Sequence, residues 1–265
     1  MITSTDQLNR TIVLQNFPNR IISLVPSQTE LLFDLGLRDE VAGITKFCIH
    51  PDEWFRTKTR VGGTKNLNPE KIKSLNPDLI IANKEENNSS QINELMNEFP
   101  VWVSDICNLT NALEMIRELS KIVNKKKNGE EIIEKINFDF NVLHSKNLKL
   151  IPTAYLIWKN PYMTVGGDTF ISDMLQYAGF KNVFDEKNRY PQIDLEDLQN
   201  ANPELIFLSS EPYPFKEKDL AEFKKKLPKT NVILVDGEMF SWFGSRLLKA
   251  ASYFSQLRDK INSAS

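Results

Sequence analysis

The chain has 265 residues, 41% of them hydrophobic, enough for one large or two modest domains with a substantial core. Its 33 basic and 35 acidic residues leave a formal net charge of -2, so no basic excess points to nucleic acid or to a membrane surface. The longest apolar runs are strand length, which excludes a bilayer-spanning helix and any direct membrane insertion.

The first ten residues, MITSTDQLNR, lack the basic flank and apolar block of a secretory signal. A cytoplasmic chain, a mature form and a trimmed chain all fit that observation. Cys48 and Cys107 are the two cysteines and make no disulfide framework, so the redox compartment stays open.

In chain order, residues 11–14 read as a short edge strand and 20–24 (RIISL) as a buried strand. Pro26 ends it, and Ser27 followed by Glu30 reads as a capping box opening a helix that stops at Gly36. Residues 41–44 form a second strand, and 47–51 (FCIHP) and 61–65 (VGGTK) are loops. Asn68, Pro69 and Glu70 open a short helix, cap first and proline next. A strand at 79–82, a helix at 89–98, a strand at 101–103 and an amphipathic helix at 110–121 follow.

Residues 130–146 (EEIIEKINFDFNVLHSK) contain no Gly or Pro. Ile133, Ile136, Phe140 and Leu143 make one stripe of a 3.6-residue period. Early glutamates and the late His144 and Lys146 complement the helix dipole. Asn128 and Gly129 mark a break before this helix, which would span roughly 25 Å. It reads as a rigid link between two similar lobes, although an ordinary core helix would show the same stripe. Beyond it the grammar restarts: a strand at 154–158, a helix capped by Asp168 or Thr169 and ending at Ala178-Gly179, and a short helix capped by Asp194. A strand at 205–208, a helix at 218–227, a strand at 232–235 and a final helix after Gly244-Ser245 complete the chain. Strands alternating with helices predict parallel sheets flanked by helices. The expected division is 1–127 as an N-terminal α/β lobe, 128–147 as the linking helix and 148–265 as a C-terminal α/β lobe.

Residues 70–80 (EKIKSLNPDLI) align without a gap on 196–206 (EDLQNANPELI). Each copy has an acidic residue in the first helical turn, a short helix, an Asn-Pro stop and a buried strand. Glu70 and Glu196 thus occupy equivalent places on two lobes. Each is stabilised at a helix N-terminus by the dipole, and as a matched pair they suit a two-fold partner with basic pockets.

Several chemistries are missing. Gly62-Gly63-Thr64-Lys65 has the wrong spacing for a phosphate loop, and neither G-x-G-x-x-G after a strand nor G-x-S-x-G occurs. With His50 and His144 the only histidines, and no nucleophile beside His50, no catalytic residue is expected. Cys48 and His50 offer two ligands where a closed structural metal site needs about four; contact with a bound ligand or its metal fits them better. Glu85-Glu86 reads as solvated. Aromatic residues concentrate in loops at strand ends, including Phe47, Trp54, Trp158, Tyr162, Tyr213, Phe215, Phe240, Trp242 and Phe243. Interleaved with Asn160, Glu211 and Glu238, they resemble the lining for a large, flat, partly apolar ligand, at the edge where open α/β sheets bind ligands.

These motifs together resemble one family, the ABC-transporter substrate-binding proteins of the vitamin B12 and iron–siderophore class. The similarity runs through RIISLVPSQTELLFDLG, VGGTKNLNPEKIKSLNPDLIIAN, NPYMTVGGDTF, YPQIDLEDLQNANPELI and DGEMFSWFGSRLL. The cobalamin-binding members resemble it most. The resemblance implies an α/β fold of two Rossmann-like lobes with parallel sheets, joined by a single rigid backbone helix, the class III, chelatase-like arrangement. It implies a ligand held between lobes, no prosthetic group, a monomer, a periplasmic or cell-envelope location, and docking on an ABC permease dimer through Glu70 and Glu196.

Ligand contacts carried over from the family fall on Pro26, Ser27, Phe47, Thr64, Lys65, Trp158, Tyr162, Glu238, Met239 and Phe240; Cys48, His50, Tyr213 and Trp242 join them from the loop reading. Thr64 and Met239 stand where cobalamin binders can place aromatics. A corrinoid is the leading ligand. A ferric siderophore or haem is the alternative, with Lys46, Lys65 and Lys84 as its candidate cations. An intracellular metal-handling enzyme on a chelatase-like fold is the third reading.

Overall fold

The computed structural model describes residues 1–145 and 149–264. The chain divides into two units. The first comprises Met1–Ile106, Thr110–Lys135 and Phe243–Arg246; the second comprises Cys107–Leu109, Ile136–Trp242 and the residues from Leu247 onward.

In the first unit, β1 (Ile2–Thr5) pairs antiparallel with β2 (Thr11–Leu14), so the expected edge strand has a partner that the sequence reading did not single out. Asp6 shapes the connection by accepting from the Leu8 and Arg10 N–H groups at 3.0 and 2.9 Å. Then follow β3 (Ile21–Ser23), α1 (Pro26–Asp34), β4 (Val41–Ile44), α2 (Asp52–Thr57), β5 (Thr59–Arg60), α3 (Pro69–Leu75), β6 (Leu79–Asn83), α4 (Ser89–Met96) and β7 (Val101–Ser104). The sheet order is β5-β4-β3-β6-β7, and every neighbouring pair is parallel. Ile22, Ile80 and Val103 of the sheet and Leu24 just past β3 pack with Ile72 and Leu95 of the helices into one core. Each such aliphatic side chain contributes about 1.5–3 kcal/mol when fully buried.

The capping box expected at Ser27 is absent. Helix α1 opens two residues earlier than that cap implies, at Pro26, after an extended Val25 and with no side-chain cap. Proline in the first turn brings no N–H that needs an acceptor. Glu30 is therefore released from capping, and its Oε2 instead accepts from Arg246 Nε at 2.9 Å.

Helices α5 (Leu109–Ile122) and α6 (Lys126–Ser145) come next. The break expected at Asn128-Gly129 lies inside α6. A Cβ at Gly129 would sit 2.4 Å from Ser120 Cβ, so the glycine permits close approach to α5 and does not end a helix. Ile133, Ile136, Phe140 and Leu143 are all buried, which is the expected stripe. Residues 126–135 of α6 fall in the first unit and 136–145 in the second. Lys146 and Asn147, expected at its end, lie outside the described residues.

The second unit adds β8 (Ile151–Leu156), β9 (Tyr162–Met163), α7 (Phe170–Tyr177), β10 (Phe180–Asn182), β11 (Gln192–Ile193), α8 (Leu195–Ala201), β12 (Leu205–Ser209), α9 (Glu217–Lys226), β13 (Asn231–Val235), α10 (Gly237–Ser241) and α11 (Leu247–Ala264). Its four-stranded sheet runs β10-β8-β12-β13, again wholly parallel. Strand β8 ends at Leu156, two residues before its expected end, because Trp158 turns away to bridge Met163. Each unit is thus an open parallel sheet with helical crossovers.

The internal repeat is structural as well as sequential. Asn68 caps α3 and Asp194 caps α8, each side chain accepting from the N–H three residues on. Ile72 and Leu198 are the buried anchors of the two helices. Both helices end on an asparagine in the left-handed region, Asn76 at φ 44° and Asn202 at φ 45°, before β6 and β12. Asparagine tolerates that conformation, and a proline next in line cannot continue the helix.

Candidate functional site

In a parallel sheet all strands end on the same edge, so loops that follow strands gather there. In the first unit that edge carries Pro26 and Ser27 after β3, Phe47, Cys48 and His50 after β4, and Thr64 and Lys65 after β5. Phe47 stands 51% exposed, with Lys46 Nζ 5.1 Å from its ring centroid. Cys48 does not offer itself to a ligand. It is fully buried, and its Sγ lies 3.1 Å from Thr29 Oγ1 and 3.2 Å from Thr45 Oγ1. Burial pushes the thiol pKa up despite those hydroxyl contacts. Lys65 Nζ donates to the carbonyl of Glu85, with Asn87 O at 3.5 Å, which ties this side chain to the neighbouring loop.

Behind this edge lies a buried polar network that the sequence reading missed. Gln28 Nε2 donates to Ser104 Oγ at 2.6 Å, and Asn83 Nδ2 donates to the same oxygen at 3.0 Å. Asn87 Nδ2 donates to Leu24 O at 3.2 Å and Thr64 O at 3.1 Å, pinning the loops after β3 and β5 together. The Glu85-Glu86 pair reads as solvated, and the asparagines that bracket it, Asn83 and Asn87, are buried at the end of β6. Ser27 Oγ and Gln28 Oε1, both buried, have no hydrogen-bond partner.

In the second unit the corresponding edge carries Trp158 after β8, Tyr213 after β12, and Glu238, Met239 and Phe240 after β13. Trp158 is 40% exposed and meets Tyr213 edge-on at 5.8 Å, and Tyr213 meets Phe215 at 4.8 Å. Tyr162 leans the other way, onto Phe223 of α9 at 5.1 Å. The Trp158 loop is fastened by Lys159, whose Nζ donates to Asp219 Oδ1 at 2.7 Å and Glu222 Oε2 at 2.6 Å. Those hydrogen bonds, Asp219 first and Glu222 second, raise the Lys159 pKa. Hydrogen bonds from Lys159 and Lys226 bring Glu222 down to about 2.

Phe240 is core and not lining: it is fully buried, with Tyr155 at 5.3 Å and Phe254 at 4.7 Å. Trp242 is also buried, and its Nε1 donates to Glu211 Oε1 at 2.9 Å, an oxygen that Ser241 Oγ also reaches. Burial pushes the Glu211 pKa up, and Glu238 and Asp236 add to the rise, against the two hydrogen bonds that oppose it. Gly237 allows this crowding, since a Cβ there would fall 2.7 Å from Glu211 Cγ. Glu211 and Trp242 are far apart in sequence, and no local pattern announces their contact.

The sequence profile described as Periplasmic binding protein matches residues 21–231. The chain belongs to that family. Similar to this periplasmic binding protein is an uncharacterized ABC transporter substrate-binding lipoprotein of Bacillus subtilis, YvrC. It is 26% identical over 215 residues, covering 77% of this chain and 68% of that protein. A vitamin B12-binding protein of Vibrio vulnificus is 29% identical over 203 residues, covering 75% and 74%. Among solved structures, the Vibrio cholerae vitamin B12 binding protein BtuF superposes with a TM-score of 0.79 at 23% identity, over 92% of this chain and 99% of that one. Haem-binding proteins are also among the structures that share the fold.

The periplasmic binding protein presents Glu70 and Glu196 exposed in the first turns of α3 and α8, one in each unit. Each lies at the helix end opposite the strand that follows. Among the described residues, no helix is long and apolar enough to cross a membrane, and no three metal-ligating side chains converge.

Proposed function

We propose that this protein is the substrate-binding component of an ABC importer, that its cargo is a corrinoid, and that it hands the cargo to a membrane permease from the cell envelope as a monomer. The observation that carries the cargo assignment is the ring pair Trp158 and Tyr213, 5.8 Å apart and edge-on, with Trp158 left 40% exposed. A half-exposed indole propped by a second ring suits a broad, partly apolar ligand face. Phe47 offers the first unit's exposed ring, and the vitamin B12-binding relative from Vibrio vulnificus supports the same cargo. Glu70 and Glu196 are the proposed permease contacts, being exposed and matched in frame. The protein acts by binding and has no catalytic step of its own.

A second reading, haem or a ferric siderophore, is favoured by Lys46, whose ammonium lies beside Phe47. Titration of the ligand-free protein with cyanocobalamin, haemin and a ferric tris-catecholate, followed by absorbance, separates the readings. Saturable binding of cyanocobalamin alone is the expected result. Saturation by haemin or the ferric chelate, with none by cyanocobalamin, overturns the corrinoid assignment, and no binding of any of the three overturns both.

A further inference from the structure

Helix α3 divides two grooves of opposite charge. On one side a groove of about 600 Å³ is lined by Lys46, Arg60 and Lys71 above a floor that includes Gly62 and Gly63, and its lining contains no carboxylate. Arg60 is held in place there, its Nη1 donating to Lys58 O at 2.6 Å. On the other side a groove of about 280 Å³ is lined by Lys73, Glu94 and Glu98. Lys73 is already paired with Glu98 at 2.6 Å, so the charge left over on that side is negative. Leu67 and Pro69 line both grooves and form the wall between them. Glu70, exposed, follows Pro69 directly.

We propose that the start of α3 is a charge-sorted docking ridge whose basic groove receives a carboxylate-bearing segment of the permease. This rests on the permease reading of Glu70. Pro69 and Lys71, on either side of Glu70, both line the basic groove, so a partner that covers Glu70 with a cation also meets the rim of that groove. A carboxylate next to a basic groove demands the complementary order of charges on the partner, which fixes register and rejects a slipped docking. The matching helix α8 carries no cation at the corresponding positions. Its residues in frame with Lys71 and Lys73 are Asp197 and Gln199, and the Asp197 carboxylate is engaged with the Asp194 N–H at 2.9 Å. The ridge distinguishes the two docking helices, and α3 is the one that reads an acidic partner surface.

The test measures association of the ligand-loaded protein with the permease–ATPase complex of the same organism in nanodiscs, at low and at high salt. Glu70→Lys with Glu196→Lys tests the underlying reading. Lys71→Glu tests the ridge, and Lys71→Arg is the conservative control. The lysine reversal is expected to weaken association by about tenfold at low salt, less at high salt, with the arginine variant close to wild type. If the glutamate reversal weakens association and the lysine reversal does not, the ridge is overturned and the permease reading stands. If neither acts, both fall. Saturable binding of citrate to the isolated protein that disappears in the lysine reversal, with association unchanged, would make the groove a small-anion site and overturn the proposal.

Discussion

Arg246 Nε donates to Glu30 Oε2 across 2.9 Å, and both side chains are more than nine-tenths buried. Removing one partner of a buried pair leaves a charge that has lost its compensation, at a cost of about 3–5 kcal/mol. Arg246→Met is expected to lower the stability measured in urea by that amount. Glu30→Gln combined with Arg246→Met is expected to cost less than the sum of the single changes, because no buried charge then remains. Denaturation of the four proteins in one double-mutant cycle checks both statements.

Glu211 predicts a pH dependence of the opposite sense to a salt-bridged carboxylate. Its folded-state pKa is raised by burial, so between the unfolded and folded values the native state holds a proton that the unfolded state has lost. Stability from this group therefore falls as pH rises through that interval. Glu211→Gln keeps an acceptor for Trp242 and Ser241 but cannot ionise. The melting temperature of the variant relative to wild type should increase from pH 4 to pH 7.5; a constant difference would show that Glu211 does not titrate in this window.

Asn76 and Asn202 predict matched responses in the two units. At φ 44° and 45° an alanine is strained, by about 1–2 kcal/mol. Glycine carries no such penalty at positive φ. Asn76→Ala and Asn202→Ala are each expected to destabilise by about 1 kcal/mol or more, with the glycine variants near wild type in thermal unfolding.

Trp158→Ala is expected to weaken cyanocobalamin binding by more than about 1 kcal/mol, the behaviour of an anchoring ring. Phe240→Leu, a change in the core, is expected to lower the melting temperature with little change in affinity. Isothermal titration and thermal unfolding of the same two variants separate the roles, and equal affinity losses would undo the distinction.

Much of the architecture was legible because it is written locally. Pro69 after Asn68, and Asn-Pro at the ends of α3 and α8, specify helix starts and stops through backbone conformation alone. The stripe Ile133, Ile136, Phe140 and Leu143 specifies which face of α6 is buried. The candidate site was less legible because its groups meet through tertiary contacts. Ser27 and Glu30 satisfy a capping-box spacing, but a proline ahead of them and a distant arginine decide what they do. Asn83 and Asn87 sit in a run of polar residues and become buried only because a strand end and two loops converge on them. Phe240 and Trp242 read as lining because aromatics at strand ends often are; α10, short and missed in the sequence, turns both rings inward.

The residues 243–246 belong with the first unit although the chain on either side belongs with the second. No single cut therefore separates the protein into two self-sufficient halves. A fragment ending at Lys135 would fold without the arginine that sits against Glu30, and a fragment beginning there would carry that arginine with no acid to meet it. Dissection, split-reporter fusion and domain exchange in this protein must carry the tetrapeptide Phe243 to Arg246 along with the N-terminal segment, grafted through a linker or supplied as a peptide.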